Sequence, residues 1–126
     1  MYCYDFEILY LSFFSKQTKD VAQIAQLLAD SAYKRPRTVI ITQGGDDVLV
    51  AFSDSPTEFR RFPVNSLSEE EIFDTNGAGD AFVGGFLAHR ALDKPLKLCI
   101  EVAIYAATEV IKRSGCAFPP ENKFRV

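Results

Sequence analysis

The sequence predicts an α/β fold with helices packed on a sheet, and three features of its patterning lead there. A stretch with helical spacing comes first. Two β-branched and apolar runs separated by a glycine pair follow, and two further helical stretches close the chain. No internal repeat or low-complexity stretch interrupts that order.

From Thr18 to Tyr33, Val21, Ile24, Leu28 and Ala32 recur at helical spacing while Asp20, Gln23, Gln26 and Asp30 fall on other faces, as in an amphipathic surface helix. Pro36 then breaks the chain. Thr38, Val39, Ile40, Ile41 and Thr42 form a β-branched run of the kind buried strands carry, Gly44 and Gly45 mark a turn, and Val48 to Phe52 form a second strand. Ser53 to Thr57, with Pro56, predict another turn. Phe59, Phe62 and Val64 predict a short third strand that Pro63 interrupts, and proline places it at a sheet edge because it cannot donate to a ladder.

Asn65 to Glu71 read as a solvent-facing connection to Ile72 and Phe73. After Gly79 the pattern turns helical to about Leu92, with Ala81, Gly84, Gly85 and Ala88 on one small-residue stripe and Phe82 and Phe86 on another. A glycine inside a helix costs about 1 kcal/mol relative to alanine, so Gly84 and Gly85 predict a neighbour approaching the backbone closely. Pro95 opens a last helix over Leu96 to Arg113, with Ile100, Ala103, Ile104 and Ala107 as its buried stripe and Gly115 as its C-cap.

A chain of 126 residues, 48% hydrophobic and 25% charged, is sized for one compact domain with a real core and is too apolar for general disorder. Fourteen basic side chains against seventeen acidic ones give a net charge of -3, with no basic block to track a phosphate backbone, which argues against nucleic acid as a partner. Cys3, Cys99 and Cys116 form no CxxC pair and His89 is the single histidine, so neither a disulfide framework nor a zinc site can be assembled and no metal ligands are assigned. The thiols read as reduced packing residues, and His89 as a surface helix residue. The apolar start, MYCYDFEILYLSFF, is broken by Asp5 and Glu7, is shorter than the roughly 20 residues of a membrane span and has no basic n-region. These features predict no membrane partner and a cytoplasmic location.

Asn76, Gly77, Ala78, Gly79 and Asp80 set a run of nearly unhindered backbone N–H groups at the start of a helix. Orphan donors and the positive end of the helix dipole converge there, so a phosphoryl group could be held without any lysine. The alternative is a plain tight turn capped by Asp80. A carboxylate inside an anion-binding turn suits a general base that takes a proton from an attacking hydroxyl. A P-loop is excluded because no Gly-Lys pair exists in the chain. A dinucleotide fingerprint would need glycine where Phe82 stands. Asp74 alone reads equally as a turn cap.

DTNGAGDAFVGGF, Asp74 to Phe86, resembles the C-terminal signature of the ribokinase-like family of small-molecule kinases. TQGGDD at Thr42 to Asp47, YAA at Tyr105 to Ala107 and GCAFP at Gly115 to Pro119 narrow the resemblance to its adenosine-phosphorylating members, from about Thr18 to the end. The fold this implies is the C-terminal part of a Rossmann-like α/β/α sandwich, with the lid domain absent, residues 18–126 forming its nucleotide-binding part and residues 1–17 an atypical segment.

The activity implied is transfer of the ATP γ-phosphoryl group to the 5′-hydroxyl of adenosine, giving AMP in purine salvage. Asp80 matches the family's catalytic base, and Gly77, Ala78 and Gly79 its anion hole. Gln43, Gly44, Asn76, Ala106 and Ala107 match nucleotide-binding positions, and Asp74 with Ser114 and Gly115 resembles a monovalent-cation site that K⁺ would fill. Gly45 and Ile104 depart from residues that relatives often carry there. ATP and adenosine are the implied partners and Mg²⁺ the implied cofactor, its ligands mostly outside this chain. Relatives are often monomeric, and the nucleus is a second compartment beside the cytoplasm. The chain reads as shortened relative to the family, so two alternatives stand beside catalysis of adenosine phosphorylation. One is a non-catalytic binding or regulatory fragment whose open parallel-sheet edge favours association; the other is a sugar kinase of the same family.

Overall fold

The structure, a computed structural model, describes residues 20–30, 36–121, 123 and 124. The atypical segment 1–17, Cys3 and the outer ends of the first predicted helix lie outside the described residues. Where the chain length suggests one domain, the described residues group into two compact units that divide between Asn65 and Ser66.

The first unit is a helix on a three-stranded sheet. Helix α1 spans Val21–Asp30. It begins later than the periodicity from Thr18 suggests, because Asp20 is its cap: Asp20 Oδ1 accepts the amide of Ala22 at 2.9 Å, and the Asp20 carbonyl accepts that of Ile24 at 3.0 Å. Strands β1 (Thr38–Gln43), β2 (Asp46–Phe52) and β3 (Ser55–Phe62) lie in that order, and both pairings are antiparallel. Among the described strands the expected parallel edge is therefore absent, since two-residue connections can join strands only antiparallel. Gly44, at φ +66°, turns the first hairpin.

Register sorts the side chains by face. Val39 pairs with Ala51 and Ile41 with Leu49, and these four meet Ile24, Ala25, Leu28 and Ala29 of α1 in one cluster. Val48, Ile40 and Val50, on the opposite face, are buried as well. The predicted turn over Ser53 to Thr57 shrinks to Ser53 and Asp54, and β3 runs through Pro56 and ends before Pro63. The turn closes with Phe52 paired to Ser55, and its first residue is tied to the residue before β1: Ser53 Oγ accepts the Arg37 amide at 2.7 Å and the Ser53 amide donates to the Arg37 carbonyl at 3.0 Å. As the outer strand, β3 tolerates Pro56 without a lost inner bond.

The second unit is built on two helices, α2 (Ala78–Arg90) and α3 (Leu96–Ile111), preceded by an exposed 3-10 turn at Glu69–Glu71. Pro95 caps α3, its carbonyl accepting the Cys99 amide at 3.1 Å. A Cβ added at Gly85 would stand 3.1 Å from Ala103 Cα and 3.2 Å from Ala106 Cβ, so α2 and α3 meet through this glycine as predicted. Gly84 departs from the prediction: it is exposed, with nothing within 4 Å of an added Cβ. The buried face of α2 combines Ala81, Phe82 and Phe86 with Gly85, rather than separating small residues from aromatic ones. A turn of 3.6 residues puts positions i, i+1, i+4 and i+5 on one side, and Gly84 and Ala88 rotate out. Along α3, Ile100 and Ala103 are buried as expected, joined by Cys99, Val102 and Val110. Gly115 is not the C-cap. That position is Lys112, and the φ of +70° at Gly115 belongs to a separate turn that follows.

Candidate anion site at the start of α2

The segment before α2 is strapped to the end of α3. The amides of Phe73 and Asp74 both donate to the Ile111 carbonyl, at 3.0 and 3.3 Å. Asp74 then turns its carboxylate to two amides: Oδ1 accepts from Asn76 at 2.9 Å, and Oδ2 accepts from Gly115 at 3.3 Å. The chain enters the helix through Gly77, whose φ of +78° is left-handed and open chiefly to glycine. Its carbonyl accepts the Ala81 amide at 2.9 Å, the first bond of the helix.

This entry leaves donors unused. Among the described residues, the amides of Gly77, Gly79 and Asp80 have no hydrogen-bond partner, whereas that of Ala78 donates to Thr75 at 3.3 Å. Of the expected Gly77, Ala78 and Gly79, the first and last thus have unpaired amides in this arrangement, and Asp80 adds a third. Behind these amides lie thirteen helical residues, whose aligned peptides place roughly half a positive charge at this end. The Asp80 side chain is exposed, with no hydrogen-bond or ion-pair partner among the described residues. Phosphate-sized anions fit such an end, and a carboxylate beside it can accept a proton from a neighbouring hydroxyl.

One residue of this site escaped the sequence reading. Cys116, expected to be a packing residue, is exposed, and its Sγ donates to the Asn76 carbonyl at 3.5 Å. A Cβ on Gly77 would overlap that sulfur, so the thiol lies directly against the turn. Cys99 does pack, fully buried on α3, and burial raises its thiol pKa against the opposing effect of Arg90. No local pattern could reveal the Cys116 contact, which joins residues 40 apart in sequence.

The remaining candidates divide by unit. Gln43 and Gly44 stand at the β1–β2 hairpin of the sheet unit, where Gln43 Nε2 donates to the Asp47 carbonyl at 2.8 Å. Asp74, Asn76, Gly77, Ala78, Gly79, Asp80, Ser114 and Gly115 all belong to the helical unit. Ala106 faces Gly85 and lines a cavity of about 220 Å³ with His89, Tyr105, Glu109 and Phe118; Ala107 is half-buried and is not part of that lining. His89, read as a surface residue, is in fact half-buried, its Nδ1 lying 3.2 Å from the Gly85 carbonyl.

Asp74 and Gly115 are hydrogen-bonded to each other across this turn. Both Asp74 oxygens already accept amide hydrogens, and the Gly115 carbonyl accepts from Ala117 at 2.7 Å. Among the described residues no three His, Cys, Asp or Glu side chains gather where a metal ion could be held. No helix among them is long and apolar enough to cross a membrane.

Comparison with known proteins supplies a context for this geometry. Residues 8–123 match the pfkB family carbohydrate kinase model. Over 113 residues the chain is 42% identical to adenosine kinase 2 of Arabidopsis thaliana, an alignment that covers 86% of this chain and 31% of that protein. The crystal structure of Anopheles gambiae adenosine kinase in complex with P1,P4-di(adenosine-5) tetraphosphate superposes with a TM-score of 0.79 at 45% identity, covering 90% of this chain and 34% of that one. Adenosine kinase from Schistosoma mansoni in complex with 2-fluoroadenosine gives 0.75 at 36% identity, covering 85% and 32%. The chain thus spans about a third of the length of the proteins it matches.

Proposed function

The chain belongs to the pfkB family of carbohydrate kinases, and on that premise we propose that it carries the phosphate-facing part of an ATP-dependent adenosine kinase. The observation that carries this reading is the set of unpaired amides at Gly77, Gly79 and Asp80, with the exposed Asp80 carboxylate in the same helical turn.

In this reading the three amides, at the positive end of α2, hold oxygens of the γ-phosphoryl group. As the 5′-hydroxyl oxygen of adenosine bonds to phosphorus, Asp80 accepts the hydroxyl proton, the bond to the bridging oxygen breaks, and ADP leaves with AMP as product. Charge building on the transferring oxygens meets donors already in place, a contribution worth a few kcal/mol per donor where it has been measured. Asn76, Gln43, Gly44, Ala106 and Ala107 are assigned to the nucleotide. Mg²⁺, when bound to ATP, neutralises phosphate charge. A monovalent cation such as K⁺ is assigned to Asp74, Ser114 and Gly115, where Asp74 Oδ2 keeps a lone pair beyond the one that accepts the Gly115 N–H, and no step is routed through it. The compartment proposed is the cytoplasm.

AMP formation from adenosine and ATP·Mg²⁺ by the purified chain, with Asp80→Asn alongside, tests the reading. Loss of a base lowers turnover by about 10²- to 10⁴-fold. Full activity in Asp80→Asn refutes the base assignment, and phosphorylation of ribose or fructose in preference to adenosine refutes the acceptor. A second reading is a nucleotide-binding module without turnover. A folded chain that binds ATP and makes no AMP selects it.

A further inference from the structure

We infer that Cys116 is a positioning residue for the α2 anion site: its thiol sets the Asn76–Gly77 peptide so that the unpaired amides of Gly77, Gly79 and Asp80 face one ligand. The inference rests on reading that turn as an anion site.

Three contacts support it. The Sγ–H group donates to the Asn76 carbonyl at 3.5 Å, which fixes the plane of the peptide whose other end is the Gly77 amide. The sulfur occupies the space beside Gly77 that any Cβ would need, so it limits how far the turn can swing toward the residues that follow α3. On the other side, Asp74 holds the Asn76 amide through Oδ1 and the Gly115 amide through Oδ2, at 2.9 and 3.3 Å. The Asn76 residue is thus gripped at its N–H by Asp74 and at its C=O by Cys116. Both grips tie it to the Gly115–Cys116 turn. The two peptide units that flank the Asn76 Cα are thus each held at one polar end, and the second of them, Asn76–Gly77, carries the Gly77 amide, a site donor.

The Cys116 side chain is not itself a ligand in this inference. Its effect passes through the Gly77 peptide, and the donor on residue 116 is what matters. Serine at this position keeps a donor and alanine does not. The loss expected from removing one neutral hydrogen bond that holds the donors in place is about threefold to tenfold in anion affinity.

The test is a titration of the full 126-residue chain with inorganic tripolyphosphate, followed by the backbone amide resonances of Gly77, Gly79 and Asp80, in the wild type, Cys116→Ala and Cys116→Ser. Melting curves of the three proteins are recorded in parallel. The expected result is saturable shifts at these amides in the wild type, threefold to tenfold weaker in Cys116→Ala and restored in Cys116→Ser, with the melting temperature unchanged. Equal affinity in the wild type and Cys116→Ala overturns the inference and leaves the anion site standing. Equal losses in both variants overturn it too, because a hydroxyl retains the donor. Wild-type amides that do not respond to tripolyphosphate refute the anion site, and the inference falls with it.

Discussion

Replacing Gly77 by alanine strains this site in two separable ways. The φ of +78° is left-handed, and an L-residue with a Cβ pays about 1–2 kcal/mol to occupy that region. The added Cβ also overlaps Cys116 Sγ and stands 3.4 Å from Cys116 Cβ, so the sulfur must rotate away or the turn must move, an overpacking cost of about 1–3 kcal/mol. Gly77→Ala alone is therefore expected to cost roughly 2–5 kcal/mol. In a Cys116→Ala background the overlap is gone and only the dihedral strain of about 1–2 kcal/mol is left. A double-mutant cycle measured by urea unfolding with far-UV circular dichroism should return a coupling of about 1–3 kcal/mol between the two positions. An identical cost for Gly77→Ala in both backgrounds would show that the sulfur does not crowd this turn. A cost below about 1 kcal/mol in the wild-type background would refute the left-handed entry to α2 itself.

The two mid-helix glycines make a matched pair. Gly84→Ala, with nothing within 4 Å, should stabilise the chain by about 0.5–1 kcal/mol, whereas Gly85→Ala gains the same propensity and loses about 1–3 kcal/mol against Ala103 Cα and the Val102 carbonyl. Equal melting shifts in the two variants would rule out the close approach of α2 and α3. Leu49→Ala, at a position 1% exposed in the α1–sheet cluster, should cost about 2–5 kcal/mol in urea unfolding, and a cost under 1 kcal/mol would mean that the cluster is not a packed core. The Ser68 backbone amide and hydroxyl, with Lys112 adding attraction, hold the Glu71 carboxyl below its ordinary value of 4.5. Its contribution is then complete above pH 4.5 and lost as the pH falls through the lowered value, so Glu71→Gln should flatten the acid side of the stability profile and leave the neutral side parallel to wild type. An unchanged slope below pH 4.5 would mean that Glu71 keeps no native partner.

Elements whose signal is local were legible in the sequence. The β-branched run at Val39–Ile41, the glycine pair at Gly44 and Gly45, Pro95 before α3 and the helix pattern after Gly79 each reflect the conformational preference of a few adjacent residues, and each appears in the structure. Errors fell where a preference competed with a contact. Pro56 suggested a turn, but Phe52 pairs with Ser55, which closes the hairpin earlier and leaves Pro56 on an outer strand. Gly115 suggested a cap, but its positive φ serves the turn that brings its amide to Asp74. The two glycines of α2 looked equivalent in sequence, and only the position of α3 separates them.

The candidate site was half visible for the same reason. Its donors are consecutive residues at a helix start, and a run of glycine and alanine before a helical pattern reveals them directly. Which donors are unpaired is a different question: Ala78 is excluded only because its amide finds the Thr75 carbonyl, and that depends on how sharply Gly77 turns. The sharpness is in turn held by Asp74 and Cys116 through contacts that reach residues 41 and 40 positions away. A local motif thus supplies the amides, while the segment that follows α3 decides where they face. Substitutions that remove the Cys116 donor or disturb the Gly115 turn should therefore weaken anion binding as substitutions inside the glycine turn do, although neither residue offers the ligand a donor of its own in this arrangement.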